Sequence, residues 1–171
     1  MSIRLTKEEA WEVLARAHTG ILTTLKADGT PISLPMWFVA VDQRIYVVTP
    51  EVARKVSRVR RNPRVAFLVE SGERWAELIA VHVTGQARVV ADPAVRTRVR
   101  NAMDDKYNDF RTDPVDLPAG FRRPDDIVMA VIEIVPDDRI LTWDNKRSND
   151  IAHSTLPRRE GNSVSGMTDT P

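Results

Sequence analysis

The most distinctive chemistry in this sequence lies where a predicted strand ending at Thr49 leads into a short basic helix. Arg54 and Lys55 stand early in that helix, and Arg58 follows about one turn later. A hydroxyl, free backbone amides and cationic side chains at the start of a helix suit the binding of a phosphate group. The alternative is a surface helix whose cations only face solvent, because its valines recur at intervals of three and four and can pack the opposite side.

Other kinds of site lack the residues that they require. The 171 residues contain no cysteine, which excludes disulfides, thiolate catalysis and cysteine-ligated metals. His18, His82 and His153 fall at a predicted helix end, in a strand and in the C-terminal tail, so we expect no metal site. No glycine-rich dinucleotide fingerprint or Walker A loop is present. The hydroxyls of Tyr46 and Tyr107 are candidate proton donors, with solvent as the alternative.

Length and composition favour a single folded domain. The chain is 42% hydrophobic and 29% charged, as is ordinary for a globular protein. A net charge of +1 does not favour binding to nucleic acid or to a membrane surface. No apolar run approaches the roughly 20 residues of a membrane helix, and the N-terminus has no signal-peptide pattern. We therefore expect a cytoplasmic protein that acts on a small molecule.

Strand patterns dominate the elements that must position these residues. Thr6 and Glu9 form a capping box that predicts a helix over 7–17, and Asp92 precedes a helix over 93–106. The basic helix is predicted over 50–62. Strands are predicted over 21–26, 32–41, 45–49, 65–70, 78–90, 127–135 and 139–143, with turns at 28–29 and 136–138. Six or seven strands joined mostly by short turns favour a small antiparallel barrel with flanking helices.

Two segments lack such patterns. Residues 108–126 contain three prolines and predict a long surface loop. The chain is polar from about residue 148 onward, which predicts a disordered tail. The expected division is therefore a folded domain over 1–147 and a tail over 148–171.

The order of several short motifs resembles the pyridoxamine 5′-phosphate oxidase-like split β-barrel proteins, over about residues 7–147. The motifs are Gly20–Leu25, Asp28–Pro31, Pro35–Phe38, Ile45–Thr49, Lys55, Arg60–Val65, Gly85–Ala87 and Thr142–Asp144. The resemblance is strongest to the actinobacterial branch that uses flavins or the deazaflavin coenzyme F420. It implies a mainly β fold, a six-stranded antiparallel split barrel of the FMN-binding type, which forms a homodimer with two cofactor sites between the subunits.

The resemblance also implies a role for each matching position. The backbone of Pro35, Met36, Trp37 and Phe38 would line the cofactor's ring. Val48 and Thr49 would approach the ribityl and phosphate region, and Lys55, with Arg54 nearby, would hold the phosphate. Trp143 and Lys146 would approach from the partner subunit. Arg58 stands where family members often have Asn, and its added cation favours a cofactor with a more anionic tail.

The function that follows from this resemblance is hydride transfer between coenzyme F420, or alternatively FMN, and a small electron-poor organic acceptor. A second hypothesis is a non-catalytic protein that binds a flavin or haem on the same barrel, with His82 as the axial ligand. Trp37 can instead be a core aromatic residue, and Trp143 can pack a dimer interface. These structural roles are compatible with cofactor contact.

Overall fold

Seven strands and three α-helices make up the part of the chain that the computed structural model describes, residues 3–111 and 127–148. The strands are β1 (Thr19–Leu25), β2 (Pro31–Trp37), β3 (Val39–Val41), β4 (Arg44–Pro50), β5 (Arg64–Ser71), β6 (Ile79–Val89) and β7 (Met129–Asp144). The helices are α1 (Lys7–Arg16), α2 (Arg54–Arg61) and α3 (Pro93–Tyr107). Most of the predicted loop and nearly all of the predicted tail lie outside the described residues.

All seven strands belong to one antiparallel sheet with the order β2-β1-β5-β6-β7-β4-β3. This arrangement confirms the mainly β split barrel, with seven strands rather than six. The extra strand arises because the predicted strand over 32–41 is two strands. Only Phe38 separates β2 from β3, yet these strands lie at opposite edges of the sheet. The chain therefore closes the barrel at Phe38, where it leaves β1 and begins to pair with β4.

The predicted turn at 136–138 is wrong, because β7 continues from Met129 to Asp144 as one strand. Pro136 lies opposite Gly85 of β6, where the register between the two strands shifts. A Cβ at Gly85 would collide with the carbonyl of Val135, so only glycine permits this close approach. Proline is tolerated at such an irregularity, since a ladder hydrogen bond is already missing there.

Alternating side chains divide the core into two clusters. The inner cluster fills the barrel with residues such as Leu22, Val47, Phe67 and Ile132, and α1 and α2 both pack against it. The outer cluster lies between the sheet and α3, and includes Val131. Position 45 and then every second residue of β4 face inward, as a strand period of two requires. The inward face of β4 therefore ends at Thr49.

The starts of α1 and α3 follow the predicted capping signals, whereas the start of α2 does not. Thr6 and Glu9 form both hydrogen bonds of the capping box before α1. The carboxylate of Asp92 accepts a hydrogen bond from the amide of Ala94, which confirms it as the cap of α3. The described helix α2 is shorter than predicted and begins at Arg54. None of the helices in the described residues has the length and apolarity needed to span a bilayer.

Candidate functional site

Two buried threonine hydroxyls lie beneath α2. Thr24 of β1 and Thr49 of β4 are each 2% exposed, and both belong to the inward faces of their strands. Neighbouring positions on these faces are apolar, so the two hydroxyls interrupt an otherwise apolar barrel lining. Buried hydroxyls require hydrogen-bond partners, and here cations of α2 supply them.

Lys55 and Arg58 of α2 reach these hydroxyls. The Lys55 ammonium donates to Oγ1 of Thr49 over 3.3 Å, and the Arg58 guanidinium donates to Oγ1 of Thr24 over 3.3 Å. The apolar side of α2 faces the core through Val56. Because residues three apart on a helix lie on neighbouring turns, Lys55 and Arg58 lie along one flank of the helix. The structure thus brings Lys55 to Thr49 and Arg58 to Thr24, a residue that the sequence analysis did not name. Their role in binding a cofactor stays a prediction.

The N-terminus of α2 adds positive potential to this region. Ala53 is the N-cap residue and provides no side-chain cap, and the first turn contains no acidic residue. Arg54 is exposed and its guanidinium makes no hydrogen bond or ion pair with the described residues. Cations, hydroxyl groups and helix amides together form a donor set that suits a phosphate group.

The other basic residues of α2 have different partners. Arg60 forms an ion pair with Glu51, and Arg61 donates to the carbonyl oxygen of Leu25 over 3.2 Å. Arg60 also lines an open groove of about 690 Å³ that contains Arg88 and Arg96. This groove lies on the other flank of α2 and contains none of the predicted site residues.

The predicted ring-lining segment lies along the β2 edge of the sheet. Pro35 and Trp37 are exposed, with Trp37 40% exposed. Met36 and Phe38 instead pack into the inner cluster, so Phe38 can contribute only its backbone. The Trp37 indole stacks on Tyr107, with ring centroids 4.5 Å apart and an interplanar angle of 10°.

Three predicted residues do not join this group within one chain. The Val48 side chain packs toward the outer cluster, on the opposite face from Thr49. Thr49 pairs with Ala130 near the beginning of β7, whereas Trp143 lies at its far end. Lys146 is exposed just beyond β7. Trp143 and Lys146 can therefore approach the Thr49 region only from another subunit, and their predicted role stays a prediction.

A buried carboxylate that the sequence analysis did not identify lies on the outer face of the sheet. Glu133 of β7 is 3% exposed and accepts hydrogen bonds from Arg44, Arg88 and the hydroxyl of Tyr46. Burial raises the pKa of Glu133, but hydrogen bonds from Arg88 and Tyr46 and the two guanidinium charges lower the pKa by more, to below its ordinary value. Burial is also the main cause that raises the pKa of Tyr46. Because the Tyr46 hydroxyl already donates its hydrogen to this carboxylate, it is unsuited to donate a proton to a substrate.

A second group, whose contacts the sequence did not predict, lies at the end of α3. Lys106 donates to the carbonyl oxygens of Ala17 and Phe38 over 2.6 and 3.2 Å, and burial lowers its pKa to about 8. The neighbouring Tyr107 is fully buried and its hydroxyl contacts the backbone of Phe38. Burial raises the pKa of Tyr107. No sequence pattern links these residues to Phe38, because the contact spans 69 positions.

The two histidines in the described residues, His18 and His82, have separate surroundings, and His153 lies outside the described residues. His82 lies on β6 between Leu68 of β5 and Leu141 of β7, and its Nδ1 is buried without a hydrogen-bond partner among the described residues. His18 instead packs against Phe110, with ring centroids 4.3 Å apart. The described ranges contain no group of three or more His, Asp or Glu residues that could hold a metal ion.

Comparison with protein families gives a match over residues 6–143 to the family described as pyridoxamine 5′-phosphate oxidase. The chain belongs to this family. The match covers the barrel, α2 and the strand that carries Trp143. No curated protein sequence shows significant similarity to the chain.

Solved structures with the same fold have different described roles. A conserved hypothetical protein of Mycobacterium tuberculosis is 26% identical, with a TM-score of 0.71 and 95% of each chain covered. A haem storage protein of Vibrio cholerae is 17% identical, with a TM-score of 0.63 and coverage of 85% of this chain and 99% of the other. An F420 reductase is 22% identical, with a TM-score of 0.53 and coverage of 76% and 94%. The fold alone therefore does not select the cofactor, and the residues of the site must be considered.

Proposed function

We propose that this protein is an oxidoreductase that binds coenzyme F420, with FMN as the alternative cofactor, and acts on a small electron-poor organic molecule. The observation that supports this most directly is the convergence of Lys55 and Arg58 on two buried hydroxyls beside the uncapped end of α2. Membership of the pyridoxamine 5′-phosphate oxidase family supports a phosphate-bearing ligand.

In this proposal, the residues of the chain bind and orient the cofactor. Lys55, with Arg54 nearby, binds the phosphate beside Thr49, and Arg58 adds a cation for an anionic tail. The backbone of Pro35–Phe38 lines the ring. The bound cofactor supplies hydride transfer, while the protein controls its orientation and electrostatic surroundings. The buried hydroxyls of Tyr46 and Tyr107 are hydrogen-bonded to Glu133 and to the backbone of Phe38. We therefore assign proton donation to solvent.

The spacing along β2 is compatible with one extended ligand. Ile32 of β2 pairs with Thr24, the residue that contacts Arg58. Pro35 and Met36 lie three and four positions further along the same strand, a distance of roughly 10–13 Å at about 3.3 Å per residue. A ring and a phosphate joined by a short chain can therefore contact both regions at once.

The proposed site is completed by a second copy of the chain. Trp143 and Lys146 lie at the far end of β7 from Thr49, so their proposed contacts with the cofactor require a partner subunit. Exposed apolar side chains on β2 and β7, including Leu34 and Leu141, are available for such an interface. We propose a homodimer, and light scattering of the cofactor-bound protein measures its mass directly.

The variant Lys55→Ala tests the phosphate site. Loss of one charge-assisted contact is expected to weaken cofactor binding by about 1.5–3 kcal/mol, or roughly one to two orders of magnitude in dissociation constant. Titrations with F420 and with FMN, followed by quenching of tryptophan fluorescence, measure this change. The loss should decrease at higher salt, because ions screen a partly exposed contact.

Arg60→Ala is the matched control, because Arg60 is a basic residue of the same helix that pairs with Glu51 on the other flank. It should leave both cofactor affinities near the wild-type values. Unchanged affinity of Lys55→Ala for both cofactors would refute the phosphate assignment.

The alternative function is a haem-binding protein on the same barrel, and the buried Nδ1 of His82 without a partner is the observation that favours it. Haem bound through His82 would give an iron-dependent visible spectrum that His82→Ala abolishes. A haem spectrum that is the same in wild type and His82→Ala would exclude this ligand. Binding of F420 or FMN without a haem spectrum would favour the oxidoreductase.

A further inference from the structure

Phe38 is the point at which the barrel closes, and its backbone groups therefore need hydrogen-bond partners from outside β2 and β3. It lies between β2 and β3, which pair with different strands on opposite edges of the sheet. Phe38 itself belongs to neither ladder. Its side chain is fully buried in the inner cluster, and buried backbone groups need hydrogen-bond partners.

The Tyr107 hydroxyl provides these partners. It accepts a hydrogen bond from the amide of Phe38 over 2.9 Å. The same oxygen lies 2.7 Å from the carbonyl oxygen of Phe38 and 2.6 Å from that of His18. A phenol has one hydrogen to donate, and both acceptors lie within its reach. One side chain thus links the junction of β2 and β3 to the start of β1.

Lys106 strengthens the same junction. Its ammonium donates to the carbonyl oxygens of Phe38 and Ala17 and lies 4.5 Å from the centre of the Phe38 ring. A cation at this position over an aromatic face is attracted to it. Two consecutive residues at the end of α3 therefore both contact Phe38.

The Tyr107 ring also supports the exposed part of the ring-lining segment. Trp37 lies parallel to it in a stacked arrangement, a geometry that adds to the stabilisation from burial alone. The tyrosine therefore contacts Trp37 through its ring and Phe38 through its hydroxyl. These are the last two residues of the segment proposed to line the cofactor.

We infer that Tyr107 is a positioning residue for the cofactor ring, because it holds the Trp37 indole and the Phe38 peptide in place from the end of α3. The inference rests on the proposed function. It adds to the cofactor site a residue of α3 that lies outside the motifs shared with the family. Tyr107 acts through Trp37 and Phe38 and does not itself contact the cofactor.

Tyr107→Phe tests this role, because it removes the hydroxyl and keeps the stacked ring. Tyr46→Phe is the matched control, since Tyr46 is also buried and its hydroxyl also makes a buried hydrogen bond, to Glu133. Both variants should lose some thermal stability. Only Tyr107→Phe should weaken cofactor binding, by roughly tenfold, which is the scale of one hydrogen bond.

Two further measurements separate positioning from general destabilisation. The visible circular dichroism of the bound cofactor reports the surroundings of its ring, and should change in Tyr107→Phe at saturating cofactor but not in Tyr46→Phe. Amide hydrogen exchange at Phe38 should accelerate only in Tyr107→Phe. If Tyr107→Phe does not fold, Lys106→Met removes the neighbouring contact to Phe38 and should show the same changes at a smaller size.

The outcomes are distinct. Wild-type affinity and wild-type dichroism in Tyr107→Phe or, if that variant does not fold, in Lys106→Met would overturn the positioning role and leave the proposed function intact. Equal losses of affinity in Tyr107→Phe and Tyr46→Phe would also overturn it, because both would then reflect stability. If the wild-type protein binds neither F420 nor FMN, the proposed function fails, and the inference that rests on it fails as well.

Discussion

Cations approach buried oxygen atoms at two places in this molecule, and the chemistry differs between them. On the outer face, Arg44 and Arg88 donate to the carboxylate of Glu133. At the α2 end, Lys55 and Arg58 donate to the neutral hydroxyls of Thr49 and Thr24. A carboxylate cancels the charge of a cation, whereas the Thr24 hydroxyl that Arg58 contacts does not. We therefore assign the outer group to stability, and this contrast supports the proposed role of Arg58 in ligand binding.

The exposure of the groups supports this division. At the outer group the carboxylate side chain is 4% exposed, whereas those of Arg44 and Arg88 are 41% and 70% exposed. The buried partner is the anion, so the arginines stabilise a charge that burial would otherwise make costly. At the α2 end the buried partners are the neutral Thr24 and Thr49, so these contacts do not serve to stabilise a buried charge.

The largest expected effect comes from removing both arginines from the outer group. Arg44→Met with Arg88→Met leaves Glu133 buried without either cation, and we expect a loss of about 3–5 kcal/mol in the free energy of unfolding. Urea denaturation measures this value. Cofactor affinity of the folded fraction should stay unchanged, because neither arginine belongs to the proposed site.

Adding Glu133→Gln to the double variant is the internal control. The substitution removes the buried charge and keeps an acceptor for the Tyr46 hydroxyl, so most of the lost stability should return. If the triple variant is as unstable as the double variant, the loss does not come from an unpaired carboxylate, and the assignment of this group is wrong.

Acid should lower the contribution of Glu133 to the free energy of unfolding, by less than the double arginine substitution does. The folded pKa of Glu133 lies below its ordinary value of 4.5, so its contribution is present above pH 4.5 and is lost as the pH falls through the folded pKa. Each unit of difference between the folded and unfolded pKa corresponds to about 1.4 kcal/mol. The stability difference between wild type and Glu133→Gln, measured by urea denaturation at several pH values, should decrease over this acidic range. A stability difference that stays constant with pH would contradict this prediction.

Much of the fold could be predicted because its signals are local. The capping box at Thr6 and the cap at Asp92 depend on residues within a few positions of each other, and the structure confirms both. Strand alternation is a local signal of the same kind, and in β6 it separates the buried Val83, Gly85 and Ala87 from the exposed Gln86 and Arg88. The two errors were non-local. Phe38 interrupts no alternating pattern, and Pro136 continues a strand because Gly85 on another strand permits the bulge.

The candidate site shows the same distinction. Lys55 and Thr49 lie six positions apart, and their contact was predictable from the strand and helix that contain them. Thr24 was not assigned to the site, and Tyr107 was named only as a candidate proton donor, because Thr24 contacts Arg58 across 34 positions and Tyr107 contacts Phe38 across 69. Only the closed barrel brings such pairs together. Glu133 was missed for a further reason, since one acidic residue in a strand gives no indication that it is buried.

The smallest expected effect tests the α2 group through Arg58, whose cation is proposed to favour the anionic tail of F420. Arg58→Ala should change the free energy of unfolding by about 1 kcal/mol or less, because its bond to Thr24 is long and partly exposed. We expect roughly tenfold weaker binding of F420 and a smaller loss for FMN, with both losses reduced at high salt. Fluorescence titration with each cofactor measures this, and Arg61→Ala, which removes a neighbouring cation bonded to Leu25, should affect neither. Equal losses for the two cofactors would show that Arg58 does not distinguish their tails. The α2 group would then bind the phosphate that both share, and the preference for F420 would lose its support.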